Sequence, residues 1–235
     1  MRRLAIIPAR GGSKRIPKKN IRDFCGKPMI GHILETAQDS GLFNVIHVST
    51  DCEEVNAVAS ELGFKPDFSR PSELADDYTP LIPVLRFVVN AYQKRGQEFD
   101  QVWMFFPCAP LISIQDLRGI QRLFDAHGGR CSVITVGAYA APIERGYKRS
   151  DDGALTPLNP EKFTVRTQDL SETYFEAGAC AVFSATRILG SEGYGSNLDY
   201  VGYILPKSKA IDIDDDDDWK VAEAIFLGMH KAGKS

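Results

Sequence analysis

The sequence predicts an α/β protein with a mostly parallel sheet that carries helices on both faces. Short runs rich in β-branched and aromatic residues alternate with longer stretches of helical periodicity. The chain has 235 residues, of which 43% are hydrophobic and 25% charged, so we expect residues 1–235 to form a single domain. In such sheets ligands bind beyond the carboxyl ends of the strands, and functional side chains are expected in the loops that follow them.

The first 136 residues supply four strands of a parallel sheet together with their connecting helices. Strands are predicted at residues 4–8, 45–50, 102–106 and 131–136. Pro28 suits the first turn of a helix that Gly41 ends, and Asp51 can cap a helix that runs to about Leu62. Because a helix separates each strand from the next, parallel pairing is favoured.

Further regular elements are predicted from residue 79 onwards, and one irregular stretch interrupts them. Regular structure is predicted at residues 79–94, 113–126, 177–185, 200–205 and 216–230. In the last of these, a helix, we expect Val221, Ala224, Ile225 and Leu227 to face the core. The pattern weakens over residues 137–170, which contain several prolines and a Ser-Asp-Asp-Gly turn. This stretch is predicted to leave the sheet.

Charge and hydropathy exclude several classes of protein. The net charge of −3 does not suggest a nucleic-acid binder or a protein of the membrane surface. The longest nearly apolar stretch, residues 102–112, is interrupted by two prolines and falls short of the roughly 18 residues of a transmembrane helix. The N-terminus lacks the apolar region of a signal peptide, so we expect a cytoplasmic protein. Five cysteines without a CxxC pair indicate free thiols.

A basic, glycine-containing loop follows the first predicted strand. It covers residues 7–20, Ile-Pro-Ala-Arg-Gly-Gly-Ser-Lys-Arg-Ile-Pro-Lys-Lys-Asn. Gly11 and Gly12 are expected to adopt positive φ and turn backbone N–H groups towards an anion. Arg10, Lys14 and Lys19 can neutralise phosphate oxygens. The spacing matches neither a P-loop nor a dinucleotide fingerprint. The alternative is a solvated basic loop without a ligand.

An acidic run lies at the other end of the chain, where residues 211–219 read Ile-Asp-Ile-Asp-Asp-Asp-Asp-Asp-Trp. In an extended segment Asp212 and Asp214 project to the same side, as two oxygen ligands of Mg²⁺ would. The following aspartates, residues 215–218, are predicted to cap the last helix. The alternative is that the whole run caps the helix and binds no metal. A basic loop and paired carboxylates together suit a nucleoside triphosphate with Mg²⁺.

At these residues the sequence resembles the CMP-sialic acid synthetase (acylneuraminate cytidylyltransferase) family, and within it the pseudaminic acid branch. Besides residues 7–21, the resemblance lies in five further segments, which follow one another in family order over nearly the whole chain. They are Gly-Lys-Pro-Met-Ile (26–30), Val-Ser-Thr-Asp (48–51), Arg-Pro with Glu-Leu-Ala-Asp-Asp-Tyr-Thr (70–79), Arg-Thr-Gln-Asp-Leu (166–170) and Asp-Ile-Asp with Asp-Trp (212–219).

The resemblance implies a three-layer α/β/α, nucleotide-diphospho-sugar transferase-like fold that transfers CMP from CTP to the anomeric hydroxyl of a nine-carbon α-keto acid sugar, with Mg²⁺ as cofactor and pyrophosphate as by-product. It also implies a homodimer, to which residues 138–170 would contribute an arm. Arg10 and Lys19 would act in catalysis together with Asp212 and Asp214, the metal ligands. The sugar acid would meet Arg166 and Gln168. The implied nucleotide site comprises Ala9, Arg10, Gly11, Gly12, Ser13, Lys14, Lys19, Asn20, Arg70, Asp77 and Thr79.

Two departures from the family pattern leave the sugar open. Residues 174–181 read Tyr-Phe-Glu-Ala-Gly-Ala-Cys-Ala where the pseudaminic branch has His-Asp-Ala-Gly-Gln-Phe-Tyr-Trp. Residues 106–110 read Phe-Pro-Cys-Ala-Pro in place of the Gln-Pro-Thr-Ser-Pro of sialic acid enzymes, which speaks against ordinary sialic acid. Pseudaminic acid is the expected substrate. The alternatives are legionaminic or sialic acid, an eight-carbon ulosonic acid, or a non-catalytic protein that binds the nucleotide.

Overall fold

The computed structural model describes residues 1–191 and 199–232, and a six-stranded sheet forms its centre. The strand order is β10-β6-β9-β5-β1-β4. The strands of this sheet are β1 (Arg3–Pro8), β4 (Val45–Ser49), β5 (Gln101–Phe105), β6 (Ser132–Ala138), β9 (Tyr174–Ser184) and β10 (Tyr200–Ile204). Two short strands, β2 (Asp23–Phe24) and β3 (Lys27–Pro28), form a hairpin outside it. The strands predicted from the sequence are all present.

The sheet is mostly parallel, as predicted. Strand β1 pairs in parallel with β4 and β5, and β10 pairs in parallel with β6. Strand β9 runs antiparallel to both of its neighbours, β5 and β6. It thereby joins the two parallel groups into one sheet, and its first residues lie beside the end of β6.

Helices cover both faces of the sheet, so the three-layer prediction is confirmed. The helices are α1 (Met29–Asp39), α2 (Glu53–Glu61), α3 (Leu81–Gln93), α4 (Ile114–Ala126), α5 (Ala185–Gly190) and α6 (Asp216–Ala232). In β1 the side chains alternate: Ala5 and Ile7 pack with α1, α2 and α4, while Leu4 and Ile6 pack with α3 and α5. Both sets are fully buried, which makes β1 a central strand.

Helix α6 packs differently from the sequence prediction. Of the residues expected to face the core, Val221 and Leu227 are 51% and 49% exposed, Ala224 is also exposed, and Ile225 is only partly buried. The buried side chains of this helix are instead Trp219 and Ala222, which join Ile16, Phe24 and Ile213 in a separate apolar cluster. The reason is that α6 packs near its N-terminus against the β2–β3 hairpin and the loop after β1, so a different face is covered.

The stretch between β6 and β9 leaves the sheet, as predicted. It contains a two-stranded hairpin of β7 (Tyr147–Arg149) and β8 (Leu155–Pro157), flanked by short 3₁₀ turns. Large apolar side chains on it are about half exposed: Ile143, Tyr147, Leu155 and Leu158. The role of residues 138–170 as a dimerisation arm stays a prediction. In the described ranges, no helix is both long and apolar enough to cross a membrane.

Candidate active site

A cavity of about 500 Å³ opens at the carboxyl ends of β1 and β5. It lies where open α/β sheets bind ligands. Residues from four separate segments line it: Pro8, Arg10, Ser13, Lys14, Arg15, Ile16, Lys19, Asn20, Phe106, Pro107, Cys108, Gly178, Asp212 and Asp214. The cavity therefore brings the basic loop after β1 into one site with the aspartate pair that precedes α6.

The basic loop, residues 9–20, does not use its glycines as predicted. Neither Gly11 nor Gly12 has a positive φ, and neither lines the cavity. Gly11 is instead required by close packing, because a Cβ there would lie 2.9 Å from the Cβ and Sγ of Cys52. The left-handed residue of this loop is Lys18, with φ of 53°. The prediction that Gly11 and Gly12 turn their backbone N–H groups towards an anion through positive φ is therefore wrong.

Asn20 and Lys19 hold the basic loop to the rest of the site. Asn20 is buried, and its Nδ2 donates to the carbonyl of Arg10 at 2.9 Å, which closes the loop on itself. The Lys19 ammonium donates to the carbonyl of Ile213 and lies 3.7 Å from a carboxylate oxygen of Asp214. With a side chain only 18% exposed, Lys19 joins the basic loop directly to the acidic segment.

Asp77 binds two of the loop's cations. Its carboxylate accepts from Arg10 at 2.7 Å and forms an ion pair with Lys14, and these cations lower the pKa of Asp77. The neighbouring Asp76 accepts from the backbone N–H groups of Tyr78 and Thr79 and thereby shapes the turn. Asp77 and Thr79 do not line the cavity. Asp77 therefore acts on the site only by binding the side chains of Arg10 and Lys14, which do line it.

The acidic segment, residues 211–218, has both arrangements that the sequence predicts. Ile213 is buried, and the flanking Asp212 and Asp214 both line the cavity. Partial burial and then the negative charge of Asp214 raise the pKa of Asp212. Asp214 pairs with Arg15 at 2.8 Å. Two carboxylates in one cavity thus concentrate negative charge beside the basic loop.

The later aspartates cap α6, as predicted. Asp215 accepts from the backbone N–H groups of Asp217 and Asp218, both at 2.9 Å, and these bonds lower its pKa. The carboxylate of Asp218 accepts from the backbone N–H groups of Asp214 and Asp215 at 2.9 and 3.1 Å. These bonds fix the turn that carries Asp214 into the helix.

Two residues of the implied nucleotide site lie beneath the loop rather than in the cavity. Arg70 is buried and bonds to the backbone and side-chain oxygens of Ser49, and burial lowers its pKa to about 10. Ala9 is fully buried, and its N–H donates to the carbonyl of Ser49 at 2.9 Å. Both residues fasten the segments that follow β1 and β4. The contact of Arg70 with cytosine stays a prediction.

Arg166 and Gln168 do not lie at the cavity. Both are exposed, and a 3₁₀ turn at Thr167–Asp169 replaces the extended segment that would let their side chains project together. The turn is closed by the bond from the N–H of Asp169 to the carbonyl of Arg166 at 2.9 Å. A joint contact of these two residues with the sugar acid of the same chain is therefore not supported.

Several residues of the cavity were not among the site residues predicted from the sequence, although they belong to the two segments that depart from the family pattern. Phe106, Pro107 and Cys108 follow β5, and their place after a strand was the available signal. Burial raises the pKa of the Cys108 thiol to about 12, so this cysteine stays protonated. Gly178 has φ of 58°, and a Cβ there would lie 3.1 Å from the carboxylate of Asp212. No local pattern indicates that approach.

A metal at this site would depend on oxygen atoms from a substrate. Within residues 1–191 and 199–232, no group of three His, Cys, Asp or Glu side chains is placed to hold a metal ion. Asp212 and Asp214 supply two carboxylates. Glu176 on β9 is a further acid in this region, and partial burial and the charge of Asp212 raise its pKa.

Comparisons with known proteins find relatives that cover nearly the whole chain. A cytidylyltransferase family profile matches residues 4–94. The chain is 32% identical to a pseudaminic acid cytidylyltransferase of Campylobacter jejuni, over 99% of both proteins. It is 30% identical to a CMP-N,N'-diacetyllegionaminic acid synthase of Legionella pneumophila, over 96% of this chain and 97% of that protein.

The fold is that of known nucleotidyltransferases. A solved CMP:2-keto-3-deoxy-manno-octonic acid synthetase, in complex with CTP, superposes with a TM-score of 0.71 at 16% identity, over 97% of this chain and 100% of the other. A 4-diphosphocytidyl-2C-methyl-D-erythritol synthase from Anaerococcus prevotii superposes with a TM-score of 0.58 at 15% identity, over 96% and 98%. At these identities the likeness concerns the fold alone.

Proposed function

The chain belongs to the cytidylyltransferase family, and from that premise we propose that it transfers the cytidylyl group of CTP to the anomeric hydroxyl of pseudaminic acid, with Mg²⁺ as cofactor and pyrophosphate as the leaving group. It is a CTP-dependent cytidylyltransferase for pseudaminic acid or a related sugar acid. The proposal concerns three points: which of these acids is the substrate, that Mg²⁺ is the cofactor, and that pyrophosphate is the leaving group.

The observation that carries the proposal is the shared cavity of the basic loop and the aspartate pair. Arg10, Lys14, Arg15 and Lys19 line the same space as Asp212 and Asp214. A triphosphate carries several negative charges, which the four cations can neutralise. Its transfer chemistry needs positioning and charge stabilisation rather than a covalent intermediate. The cavity offers both.

The residues present fit Mg²⁺. This ion prefers oxygen ligands and commonly binds through one or two carboxylates together with substrate phosphates and water. Asp212 and Asp214 provide two such carboxylates. Partial burial and then the charge of Asp214 raise the pKa of Asp212, and a divalent cation would offset both effects. When bound, the ion would polarise phosphate oxygens and acidify a nearby hydroxyl.

The cationic side chains of the loop would bind the triphosphate and stabilise the departing pyrophosphate. Arg10 and Lys14 would exchange the carboxylate of Asp77 for phosphate oxygens, since both are exposed to the cavity mouth. Lys19, held beside Asp214, would stabilise charge that develops on the departing pyrophosphate. Phe106 and Pro107 supply an apolar wall, which excludes water from that side of the cavity.

The sugar acid would be bound with help from a second copy of the chain. Arg166 and Gln168 lie on the stretch between β6 and β9 that also exposes Tyr147 and Leu155, and neither lines the cavity of their own chain. A homodimer in which residues 138–170 reach the partner's cavity would bring an arginine to the acid's carboxylate. We place the enzyme in the cytoplasm in the same proposal, because CTP is a cytoplasmic nucleotide.

The test measures pyrophosphate release from CTP with pseudaminic, legionaminic, sialic and eight-carbon ulosonic acids, each with Mg²⁺ and with EDTA. We expect metal-dependent release that is fastest with pseudaminic acid. Faster release with another acid would change the proposed substrate but leave the proposed reaction unchanged. Binding of CTP without release for any acid would contradict the proposed function, and release in EDTA would contradict the metal.

A further inference from the structure

Lys209 makes a buried ion pair that the proposed chemistry does not use. Its ammonium pairs with the carboxylate of Asp116 and lies 2.9 Å from the hydroxyl of Ser113. The Lys209 and Asp116 side chains are only 14% and 8% exposed. Burying two charges is costly unless their geometry is fixed and further hydrogen bonds satisfy them. This pair meets both conditions, and it joins the segment before α6 to the start of α4.

The helix cap at α4 is complete without Lys209. Asp116 accepts from the backbone N–H of Ser113 at 2.8 Å and from its hydroxyl at 2.6 Å. The hydroxyl of Ser113 in turn accepts from the N–H of Asp116, which completes a capping box. The capping box therefore does not need Lys209. What the ion pair fixes is the segment that carries the lysine.

That segment carries the aspartate pair. The N–H groups of Lys209 and Ala210 both donate to the carbonyl of Pro206, at 2.8 and 3.1 Å, and form one tight turn. Ala210 packs so closely on Gly137 that a Cβ added to the glycine would lie 2.6 Å from the Cβ of Ala210. Asp212 comes three residues after Lys209. Lys209 therefore holds this segment at its turn, and Lys19 holds it further along, at Ile213 and Asp214.

We propose that Lys209 is a positioning residue, which sets Asp212 and Asp214 for metal binding through its buried ion pair with Asp116. This inference rests on the proposed function, because it assumes that the two aspartates hold Mg²⁺. Catalysis is sensitive to such placement, since a misplacement of about 1 Å far from the reacting atoms can cost roughly 100-fold in rate. Neither Lys209 nor Asp116 lines the cavity.

The experiment compares Lys209→Met with Lys207→Met. Methionine keeps most of the apolar length of lysine and removes the charge. Lys207 lies two residues away on the same turn and is exposed, so its variant is the matched control. Mn²⁺ is titrated in the presence of CTP and followed by electron paramagnetic resonance, which does not depend on turnover. The kcat, the KM for CTP and the Tm are measured alongside.

For Lys209→Met we expect at least tenfold weaker Mn²⁺ binding and a lower kcat, with a KM for CTP within twofold of wild type. Lys207→Met should match wild type in every readout. Asp116→Asn, which keeps the shape of the cap, should weaken Mn²⁺ binding in the same way, and it carries the test if Lys209→Met does not fold. Lys209→Arg should retain part of the affinity.

Unchanged Mn²⁺ binding and kcat in Lys209→Met and Asp116→Asn, with a lower Tm, would overturn the proposal and leave the ion pair a purely structural one. Absence of Mn²⁺ binding by the wild-type CTP complex would overturn it too. If the wild type binds Mn²⁺ but transfers nothing to any sugar acid, the proposed function fails, while a selective loss of Mn²⁺ in Lys209→Met still supports the positioning role.

Discussion

The basic loop and the acidic segment line the same cavity, but different forces hold them. In the loop, Arg10, Lys14 and Arg15 are 40%, 79% and 67% exposed and are held by ion pairs. Exposed pairs of this kind contribute about 0–1 kcal/mol each, so they exchange partners readily. The acidic segment is anchored by Ile213 and Trp219, which are 1% and 2% exposed, and by hydrogen bonds from backbone N–H groups to aspartate carboxylates.

This difference indicates that the two regions have different roles in binding a ligand. A loop whose cations are paired at the surface can adapt to a charged ligand at little cost. A segment fixed by buried side chains holds its carboxylates in place before any ligand arrives, as a preorganised site requires. Substitutions in the acidic pair should therefore abolish activity, whereas substitutions of the exposed loop cations or their partners should shift it gradually.

The largest effect is expected from Asp212→Asn and Asp214→Asn. Each removes one carboxylate from the pair, and we expect kcat to fall by roughly 1,000-fold, about the loss seen when one preorganised electrostatic group is removed. The fold should remain, because neither side chain anchors the core. Pyrophosphate release gives the rate, and circular dichroism checks the fold. Near-full Mg²⁺-dependent activity in either variant would refute the role of these residues as metal ligands.

The next effect is expected at Lys19, the one largely buried cation of the loop. Lys19→Met should lower kcat/KM for CTP by about 100-fold, since it removes both a charge at the triphosphate and the bond to Ile213. Its neighbour Lys18 pairs with Glu54 at the surface, and Lys18→Met is the matched control that should change kcat/KM less than twofold. Equal values for the two variants would place Lys19 outside the site.

A smaller effect is expected from Asp77→Asn. Its carboxylate holds Arg10 and Lys14, so neutralising it should free both cations for the triphosphate and lower the KM for CTP about twofold to fivefold at low salt. The difference should fade as salt screens the charges. Steady-state kinetics at two ionic strengths provide the measurement. A higher KM would mean that Asp77 is needed to orient the two cations.

The smallest effect concerns stability. Asp215→Ala removes the carboxylate that caps α6 and should lower the Tm by a few degrees at neutral pH. The pKa of Asp215 is lowered in the folded protein, so its stabilising effect exists above the ordinary aspartate pKa and disappears as the pH falls through the lowered value. The gap in Tm between variant and wild type should close in acid. A gap independent of pH would contradict the capping role.

Much of the site could be predicted because its pattern is local. Isoleucine and aspartate alternate from Ile211 to Asp214, which places both carboxylates on one side of an extended segment whatever lies around it. The composition of residues 9–20 likewise predicts a cationic loop. The prediction of positive φ at Gly11 and Gly12 was wrong. Gly11 is instead required by its contact with Cys52, a residue about 40 positions away, whereas a Cβ on Gly12 would meet nothing within 4 Å.

By itself the sequence determined the alternation of strands and helices, the cap of α6 and the charges of the two regions, since each depends on neighbours along the chain. The tertiary structure decided which of them meet. Lys19 and Ile213 are 194 positions apart, and Lys209 and Asp116 are 93 apart. The tertiary structure also decided the approach of Gly178 to Asp212, which face of α6 is buried, and that Arg166 does not line the cavity. These features depend on how separate segments pack in space, which short-range periodicity does not encode.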